Sequence, residues 1–202
     1  MTKLLLATRN AKKLGELRRI LEAEGIQGVE VLGLNDVEEF PEAPETAPDF
    51  EGNAAAKARD AVAATGLPAI ADDSGLSVDA LNGMPGVLSA RWSGKHGDDE
   101  ANLNLVLAQL TDTPDERRGA AFVCAAVLAL PSGETTTVRA EWRGTLTREK
   151  RGTNGFGYDP IFVPENETKT SAELSPAEKD AASHRGKALR ALLPALRKLA
   201  DG

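Results

Sequence analysis

Polar and glycine-rich residues that could bind a magnesium-bound triphosphate lie in four separate segments of the chain. They occupy residues 8–13, 45–57, 72–75 and 155–185. Basic side chains and free backbone N–H groups suit phosphate oxygens, paired carboxylates suit a hard cation, and a glycine turn with aromatic residues suits a flat base. Together the four segments predict a site for a magnesium-bound nucleoside triphosphate.

The first segment lies where a short apolar run meets the start of a predicted helix. Arg9, Lys12 and Lys13 crowd this helix N-terminus, where the macrodipole already makes positive charge unfavourable. A bound anion would reverse that cost, and Thr8, Asn10 and the free N–H groups of the first turn would complete an anion cradle. A capped surface helix with solvated lysines explains the segment equally well. The sequence GxxxxGK[ST] occurs nowhere, so a Walker A loop is excluded.

Asp72 and Asp73 follow a short apolar run and precede Ser74 and Gly75. Because side chains alternate along a strand, the two carboxylates are expected on opposite faces and in different roles. One could hold Mg²⁺ or accept a proton from an attacking water, while its neighbour orients the loop. An Asx turn is the ordinary structural explanation of this tetrapeptide.

Residues 35–48 form an acidic, proline-punctuated segment that we call the acidic loop. It carries Glu42 and Glu45, and Lys57 follows in the next predicted helix. Mg²⁺ is satisfied by one or two carboxylates with phosphate oxygens and water, so a glutamate of this loop and Asp73 would suffice. A loop whose carboxylates are simply solvated is the alternative.

Residues 155–160, with the sequence GFGYDP, form what we call the aromatic turn. Its glycines allow close approach of the backbone to a ligand, and Phe156 and Tyr158 offer two aromatic faces for a flat base. A tight turn whose aromatic rings join the core is equally compatible. Further donors follow downstream, and they suit a phosphate, a base carbonyl or simply a basic helix surface. They are Lys179, His184, Arg185 and Lys187.

Alternating strands and helices are predicted to position these segments. The predicted strands are 4–7, 29–32, 68–71, 120–130 and 135–142, the last two joined as a hairpin through residues 131–133. The predicted helices are 14–25, 50–65, 98–110, one beginning at Ser175 with a capping box, and a final helix kinked at Pro194. The pattern favours one mixed α/β domain over residues 1–202, with two lobes.

Composition sets limits on the class of protein. With 41% hydrophobic and 27% charged residues, the chain of 202 residues is typical of a folded soluble protein. Its net charge of -7 argues against nonspecific nucleic-acid binding. The single cysteine, Cys124, lies in an apolar run and excludes a disulfide framework. No run approaches the roughly 18 apolar residues of a membrane-spanning helix, so we expect no membrane partner and a cytoplasmic protein.

Taken in order along nearly the whole chain, these motifs resemble the Ham1/RdgB family of inosine/xanthosine triphosphate pyrophosphatases. The resemblance rests on an ordered set of short segments, which is far more specific than any one of them. The segments are LATRNAKK (6–13), FEGNA (50–54), ADDSGL (71–76), GMPGV (83–87), SAR (89–91), GFGYDP (155–160) and SHRG (183–186).

The resemblance implies an ITPase-like (Ham1/Maf-type) α/β fold, with a long mixed β-sheet, flanking helices and two lobes around a central cleft, usually in a homodimer. It also implies Mg²⁺-dependent hydrolysis of ITP, dITP and XTP between the α and β phosphorus atoms. The products are the nucleoside monophosphate and pyrophosphate, and the role is to keep noncanonical purines out of DNA and RNA. The competing hypotheses are a noncatalytic nucleotide sensor and a pyrophosphatase for other modified nucleotides.

The resemblance also assigns roles to residues. Asp73 matches the general base, and Asp73 and Glu45 match the metal ligands, with Glu42 as the alternative to Glu45. Donors in the base pocket would select a 6-oxo purine over adenine. At Arg9, many relatives carry glycine or another small residue. The implied substrate contacts are Thr8, Arg9, Asn10, Ala11, Lys12, Lys13, Lys57, Asp72, Ser74, Phe156, Gly157, Tyr158, Asp159, Lys179, His184 and Arg185.

Overall fold

Strands and helices alternate at the start of the chain, as the apolar pattern predicts. The structure is a computed structural model, and it describes residues 1–201. Its strands are β1 (Thr2–Leu6), β2 (Val29–Leu32), β3 (Ala69–Val78), β4 (Gly119–Ala129), β5 (Thr135–Leu146) and β6 (Phe162–Pro164). Its α-helices are α1 (Ala11–Ala23), α2 (Phe50–Thr65), α3 (Asp99–Gln109), α4 (Pro176–Ala182), α5 (His184–Ala191) and α6 (Leu193–Asp201).

The six strands form one mixed sheet in the order β2-β1-β3-β4-β5-β6. Strand β1 runs parallel to β2 and to β3, with Leu4 opposite Val31 and Leu6 opposite Ile70. Strand β6 runs antiparallel to β5. Because β1 and β3 are parallel neighbours, the segment after Leu6 and the aspartates after Ile70 emerge at the same edge of the sheet. The predicted long mixed sheet with flanking helices is confirmed.

The chain divides into two compact units, which correspond to the two predicted lobes. The first contains Met1–Asp73, Cys124–Ala140 and the described residues from Arg185 onward; the second contains Ser74–Val123 and Glu141–His184. The core of the first packs α1, α5 and α6 onto the sheet, and it includes Leu4, Leu17, Ile70, Cys124, Leu189 and Leu196. The core of the second includes Leu76, Val78, Leu103, Phe122, Trp142 and Phe162. The central cleft that the family resemblance implies stays a prediction.

Local sequence explains where the helices begin and end. Helix α2 is capped at its N-terminus by Asp49, whose side chain accepts the Gly52 N–H at 2.7 Å, and at its C-terminus by Gly66, which has a φ of +68°. The capping box predicted at Ser175 is present, with Glu178 reaching back to the Ser175 N–H at 2.9 Å. The predicted kink near Pro194 is a complete break between α5 and α6.

The prediction that a short strand ends at Asp72 is wrong. Strand β3 continues through the aspartates to Val78, because Leu76 and Val78 are fully buried and hold the later residues in the sheet. The Asx-turn interpretation of residues 72–75 is therefore wrong as well. Strand β5 also runs beyond the predicted Trp142, because Gly144, Thr145 and Leu146 pair with β6. Within residues 1–201, no helix has the length and apolar character needed to cross a membrane.

Candidate active site

Asn10 caps the first helix at the point where β1 has ended. Its Oδ1 accepts the backbone N–H groups of Lys12 and Lys13, at 2.9 and 3.4 Å, and its own N–H donates to Thr8 Oγ1 at 3.1 Å. The N–H groups of Lys12 and Lys13, which we predicted to be free for an anion, are therefore occupied, and that part of the prediction is wrong. A short amide side chain satisfies them as an N-cap. Ala11, which is exposed, is the first residue of α1 and follows this cap.

Lys13 pairs with Asp72 across the sheet edge. Lys13 Nζ lies 3.0 Å from Asp72 Oδ2, and the Asp72 side chain is 7% exposed. Burial alone would raise the pKa of Asp72, but the cations of Lys13, Arg185 and Lys57 outweigh it, so the pKa lies below its ordinary value. Asp72 is therefore a stably ionised carboxylate. Arg185 itself pairs with Glu16 at 3.1 Å.

Asp73, the next residue of β3, makes different contacts, as strand alternation predicts. It is buried, and its Oδ2 accepts a hydrogen bond from Asn53 Nδ2 at 2.9 Å. Burial raises its pKa; the Asn53 hydrogen bond and Lys57 lower it, while Glu45 and Asp72 raise it, and the net pKa lies above the ordinary value. The two neighbouring carboxylates thus have opposite pKa shifts.

No sequence motif assigns a role to Asn53, which is 2% exposed. Its Oδ1 accepts the N–H of Ala47 at 2.9 Å while its amide group holds Asp73, so it joins the acidic loop to the carboxylate. Spacing could have identified it. Asn53 and Lys57 are four residues apart on α2, and such positions share a helix face. A buried polar side chain on that face requires partners.

Lys57 and Glu45 form an ion pair in which both side chains are about one-third exposed. Burial lowers the pKa of Lys57, but the hydrogen bond with Glu45 and the charges of Glu45, Asp73 and Asp72 raise it above its ordinary value. Glu42 lies elsewhere, in contact with Arg9, whose guanidinium is also 3.7 Å from Glu39. Of the two candidate loop glutamates, Glu45 is the one whose charge acts on Asp73.

No group of three or more histidine, cysteine or acidic side chains within residues 1–201 is arranged to hold a metal ion. The carboxylates of Glu45 and Asp73 nevertheless suit one. Their mutual repulsion contributes to the raised pKa of Asp73, and a divalent cation would relieve it. A metal with only these two protein ligands would take the rest from phosphate and water, which is typical of Mg²⁺.

The second unit contains the aromatic turn. Gly155 and Gly157 have φ of +72° and +60°, and Phe156 between them is 74% exposed. Tyr158 is buried, and its hydroxyl donates to the Ser89 carbonyl at 2.7 Å. The prediction of two accessible aromatic faces is right for Phe156 and wrong for Tyr158, whose ring packs in the core with its polar tip satisfied. Burial and then the charge of Asp99 raise the pKa of Tyr158.

Asp159 anchors this turn from within. Its Oδ2 accepts the N–H of Phe156 at 2.9 Å and lies 2.5 Å from Lys179 Nζ, while Ser171 Oγ donates to its Oδ1 at 2.7 Å. Asp159 is 2% exposed, so its carboxylate is committed to these contacts. Lys179 Nζ also lies 4.9 Å from the centre of the Phe156 ring. The Lys179 ammonium group and the Phe156 ring therefore lie next to each other.

Two further predicted residues lie in the second unit. The Oγ of Ser74 is buried and has no hydrogen-bond partner within residues 1–201, which suits a residue that binds a ligand. The His184 ring stacks on Phe122, with centroids 5.1 Å apart and planes inclined at 14°. Trp142 lies beyond at 6.5 Å. Stacking fixes the orientation of the imidazole.

The predicted residues therefore form two groups, one in each unit. The first unit holds the phosphate and metal candidates, namely Thr8, Arg9, Asn10, Ala11, Lys12, Lys13, Glu45, Lys57, Asp72 and Asp73, together with Arg185. The second unit holds Ser74, Phe156, Gly157, Tyr158, Asp159, Lys179 and His184. A cavity of about 580 Å³ in the first unit, lined among others by Arg18, Glu22, Ile26 and Asp36, contains none of these residues.

Comparison with known proteins identifies close relatives. A family model described as the Ham1 family matches residues 4–195. A dITP/XTP pyrophosphatase from Nocardia farcinica is 66% identical over 201 residues, covering 100% of this chain and 98% of the relative. The crystal structure of a nucleoside-triphosphatase / dITP/XTP pyrophosphatase from Mycobacterium abscessus has a TM-score of 0.84 at 62% identity, covering 96% of this chain and all of that one. A HAM1 protein from Coxiella burnetii has a TM-score of 0.89 at 40% identity, with 98% and 100% covered.

Proposed function

Since the chain belongs to the Ham1 family, we propose that it hydrolyses noncanonical purine nucleoside triphosphates to the monophosphate and pyrophosphate. The first candidate substrates are dITP and XTP, which the names of its relatives specify, followed by ITP. The observation that carries this proposal is the grouping of Asp73, Asn53, Glu45 and Lys57 beside the Lys13–Asp72 pair. Such a group offers a proton acceptor, two cations for phosphates and two carboxylates for a metal.

Mg²⁺ is the cofactor we propose, with Glu45 and Asp73 as its protein ligands. Their donor chemistry fits a hard cation, and the charge of Glu45 acts on Asp73 whereas Glu42 is paired with Arg9. When bound, the metal would neutralise phosphate charge and favour ionisation of a water molecule. The proposed metal site and the proposed proton acceptor therefore share Asp73.

Asp73 is proposed to accept the proton of the attacking water. An aspartate has a pKa of about 3.9 in the unfolded chain, and burial, the largest cause of the raised pKa of Asp73, makes its carboxylate a better proton acceptor. The water oxygen would form a bond to the α-phosphorus while the bond from that atom to the bridging oxygen of the β-phosphate breaks. Pyrophosphate leaves with the bonding pair, and Asp73 later releases its proton to solvent. Asn53 holds the carboxylate in place throughout.

Lys13 and Lys57 are proposed to stabilise the negative charge on the phosphates. Each is held by a carboxylate in this structure, Lys13 by Asp72 and Lys57 by Glu45. A triphosphate would therefore share these lysines with the carboxylates or replace the carboxylates. The carboxylates orient Lys13 and Lys57 before the triphosphate binds. Arg9, whose guanidinium contacts Glu42, is proposed as a further phosphate contact.

Recognition of the base is proposed for the second unit. Phe156 offers an exposed ring for stacking, with the Lys179 ammonium beside it. Lys179 and His184 would donate to the 6-oxo group of hypoxanthine or xanthine, whereas the 6-amino group of adenine would face them with another donor. A homodimer, a cytoplasmic location and a single domain over residues 1–202 are further proposals, supported by the family resemblance.

A pyrophosphate-release assay tests the proposed function. The purified protein would be given dITP, XTP, ITP, ATP, GTP and a modified pyrimidine triphosphate, with and without Mg²⁺. We expect magnesium-dependent release of pyrophosphate from the first three. Saturable binding without release would indicate a sensor, release only from the pyrimidine would indicate a different house-cleaning substrate, and orthophosphate as the product would contradict cleavage between the α and β phosphorus atoms.

A further inference from the structure

Asp99, the first residue of α3, is hydrogen-bonded to the aromatic turn. Its Oδ2 accepts the backbone N–H of Gly157 at 3.0 Å, and the two residues are 58 positions apart. The charge of Asp99 also contributes to the raised pKa of Tyr158, the next residue of the turn. Nothing in the sequence motifs links Asp99 to this turn.

The turn needs support from outside because its own backbone is permissive. Gly155 and Gly157 both have left-handed φ, and glycine enters this region and leaves it at little cost. Asp159 fixes one side by accepting the N–H of Phe156. Asp99 fixes the other side by accepting the N–H of Gly157. Phe156, exposed between these two bonds, is therefore held by one buried carboxylate and one exposed carboxylate.

From this geometry we propose that Asp99 is a positioning residue, which holds the aromatic turn in the conformation that presents Phe156 to the substrate base. The proposal rests on the proposed function, because it assumes that the turn binds the base of a purine triphosphate. Asp99 itself does not touch the substrate in this scheme. It acts through the backbone of Gly157.

The exposure of the bond sets the size of its effect. A carboxylate accepting an N–H in contact with water exchanges readily for solvent, so the bond shifts the population of the turn but does not build the turn alone. When only a fraction of molecules has the competent conformation, the apparent affinity falls by that fraction while chemistry after binding is unchanged. Loss of the Asp99 carboxylate should thus act on KM rather than on kcat.

Glu100 provides a matched control on the same helix. It is the next residue of α3, it is exposed, and its carboxylate pairs with Lys150 Nζ at 2.6 Å instead of the turn. A neutral substitution at either position removes one negative charge from the first turn of α3. The helix-dipole and net-charge effects are therefore similar in the two variants, which differ in the contact that is lost: Gly157 for Asp99 and Lys150 for Glu100.

The test uses the full-length variants Asp99→Ala, Asp99→Asn and Glu100→Gln, with steady-state kinetics on dITP and amide hydrogen exchange over residues 152–160. We expect Asp99→Ala to raise KM about 3- to 10-fold with kcat within about twofold, as loss of one hydrogen bond predicts. Exchange of the turn should become faster in the same variant. Asp99→Asn keeps an acceptor oxygen and should have a KM and an exchange rate close to those of the wild type. Glu100→Gln should match the wild type in both.

The proposal is overturned if Asp99→Ala matches Glu100→Gln in KM, or if exchange over residues 152–160 is unchanged. A fall in kcat at constant KM would also contradict a positioning role. Thermal melts of all variants separate these results from loss of folding. If the wild type releases no pyrophosphate from dITP or XTP, the proposed function fails, whereas the exchange measurement still decides whether Asp99 holds the turn.

Discussion

Lys13 Nζ lies 3.0 Å from Asp72 Oδ2, joining the first turn of α1 to a strand residue 59 positions further along the chain. The contact resolves an apparent conflict in the sequence, where basic residues crowd a helix N-terminus that disfavours them. The chain supplies its own anion for that position. Arg9 and Lys57 have carboxylate partners too, so Arg9, Lys13 and Lys57 are each paired before substrate arrives.

Replacing Lys13 by alanine should lower kcat/KM by about 30- to 1,000-fold, the usual loss when one charged donor to a transition state is removed. It should also lower the melting temperature, because Asp72 loses its nearest cation while remaining buried. Steady-state kinetics with dITP and a thermal melt measure the two effects. Lys95→Ala, at an exposed loop position, is the control for loss of a lysine charge. Unchanged kcat/KM in Lys13→Ala would remove Lys13 from the phosphate site.

Asp73→Asn should reduce kcat by about 100- to 10,000-fold, the range for loss of a general base, with a much smaller change in KM. Asn53 can still donate to the amide oxygen of the new side chain, so the geometry should persist. Asp60→Asn, an exposed position on α2, is the matched control for the same chemical change. Wild-type turnover in Asp73→Asn would show that another group activates the water.

The opposite pKa shifts of the two aspartates predict opposite effects on stability. The pKa of Asp73 is raised in the folded state, so the folded protein binds the proton more tightly and stability falls as pH rises through that raised value. The pKa of Asp72 is lowered, so its contribution is present above the unfolded pKa and is lost as pH falls through the lower folded value.

At pH 7, therefore, Asp73→Asn should raise the melting temperature and Asp72→Asn should lower it. About 1 kcal/mol corresponds to roughly 2–4 °C in a protein of this size, so shifts of a few degrees are expected. Thermal melts of both variants without added nucleotide or metal measure them. Shifts of the same sign in the two variants would contradict the assignment.

Local signals predicted much of this structure, and tertiary contacts account for what they missed. The caps at Ser175 and Asn10 and the stop at Gly66 depend on neighbouring residues, so the sequence displays them directly. The length of β3 depends on Leu76 and Val78, which are buried by residues distant in the sequence. The preceding motif of two aspartates, serine and glycine is typical of a turn, so it does not predict that the strand continues. Likewise Asn53 and Asp99 act through partners 20 and 58 positions away.

Asn53→Ala should shift the pH dependence of the reaction as well as its rate. The hydrogen bond from Asn53 lowers the pKa of Asp73, so its loss should raise that pKa further and move the acid limb of kcat to higher pH. We also expect kcat to fall about 10- to 100-fold, because the acidic loop loses its bond at Ala47. The pH profile of kcat measures this shift, with the exposed Asn35→Ala as control. A lower rate with an unmoved acid limb would assign Asn53 a purely structural role.

Phe156→Ala should weaken nucleotide binding without weakening the fold. The ring is 74% exposed, so its removal costs little core packing, whereas base stacking on an aromatic side chain contributes about 1–3 kcal/mol, or roughly a 5- to 150-fold rise in KM. The contrasting variant is Tyr158→Phe, which loses the hydroxyl donation to Ser89 but keeps the buried ring. We expect that variant to lower the melting temperature by a few degrees and to change KM far less. Kinetics on dITP and thermal melts of both variants decide the matter: if Phe156→Ala leaves KM unchanged, the exposed ring does not bind the base.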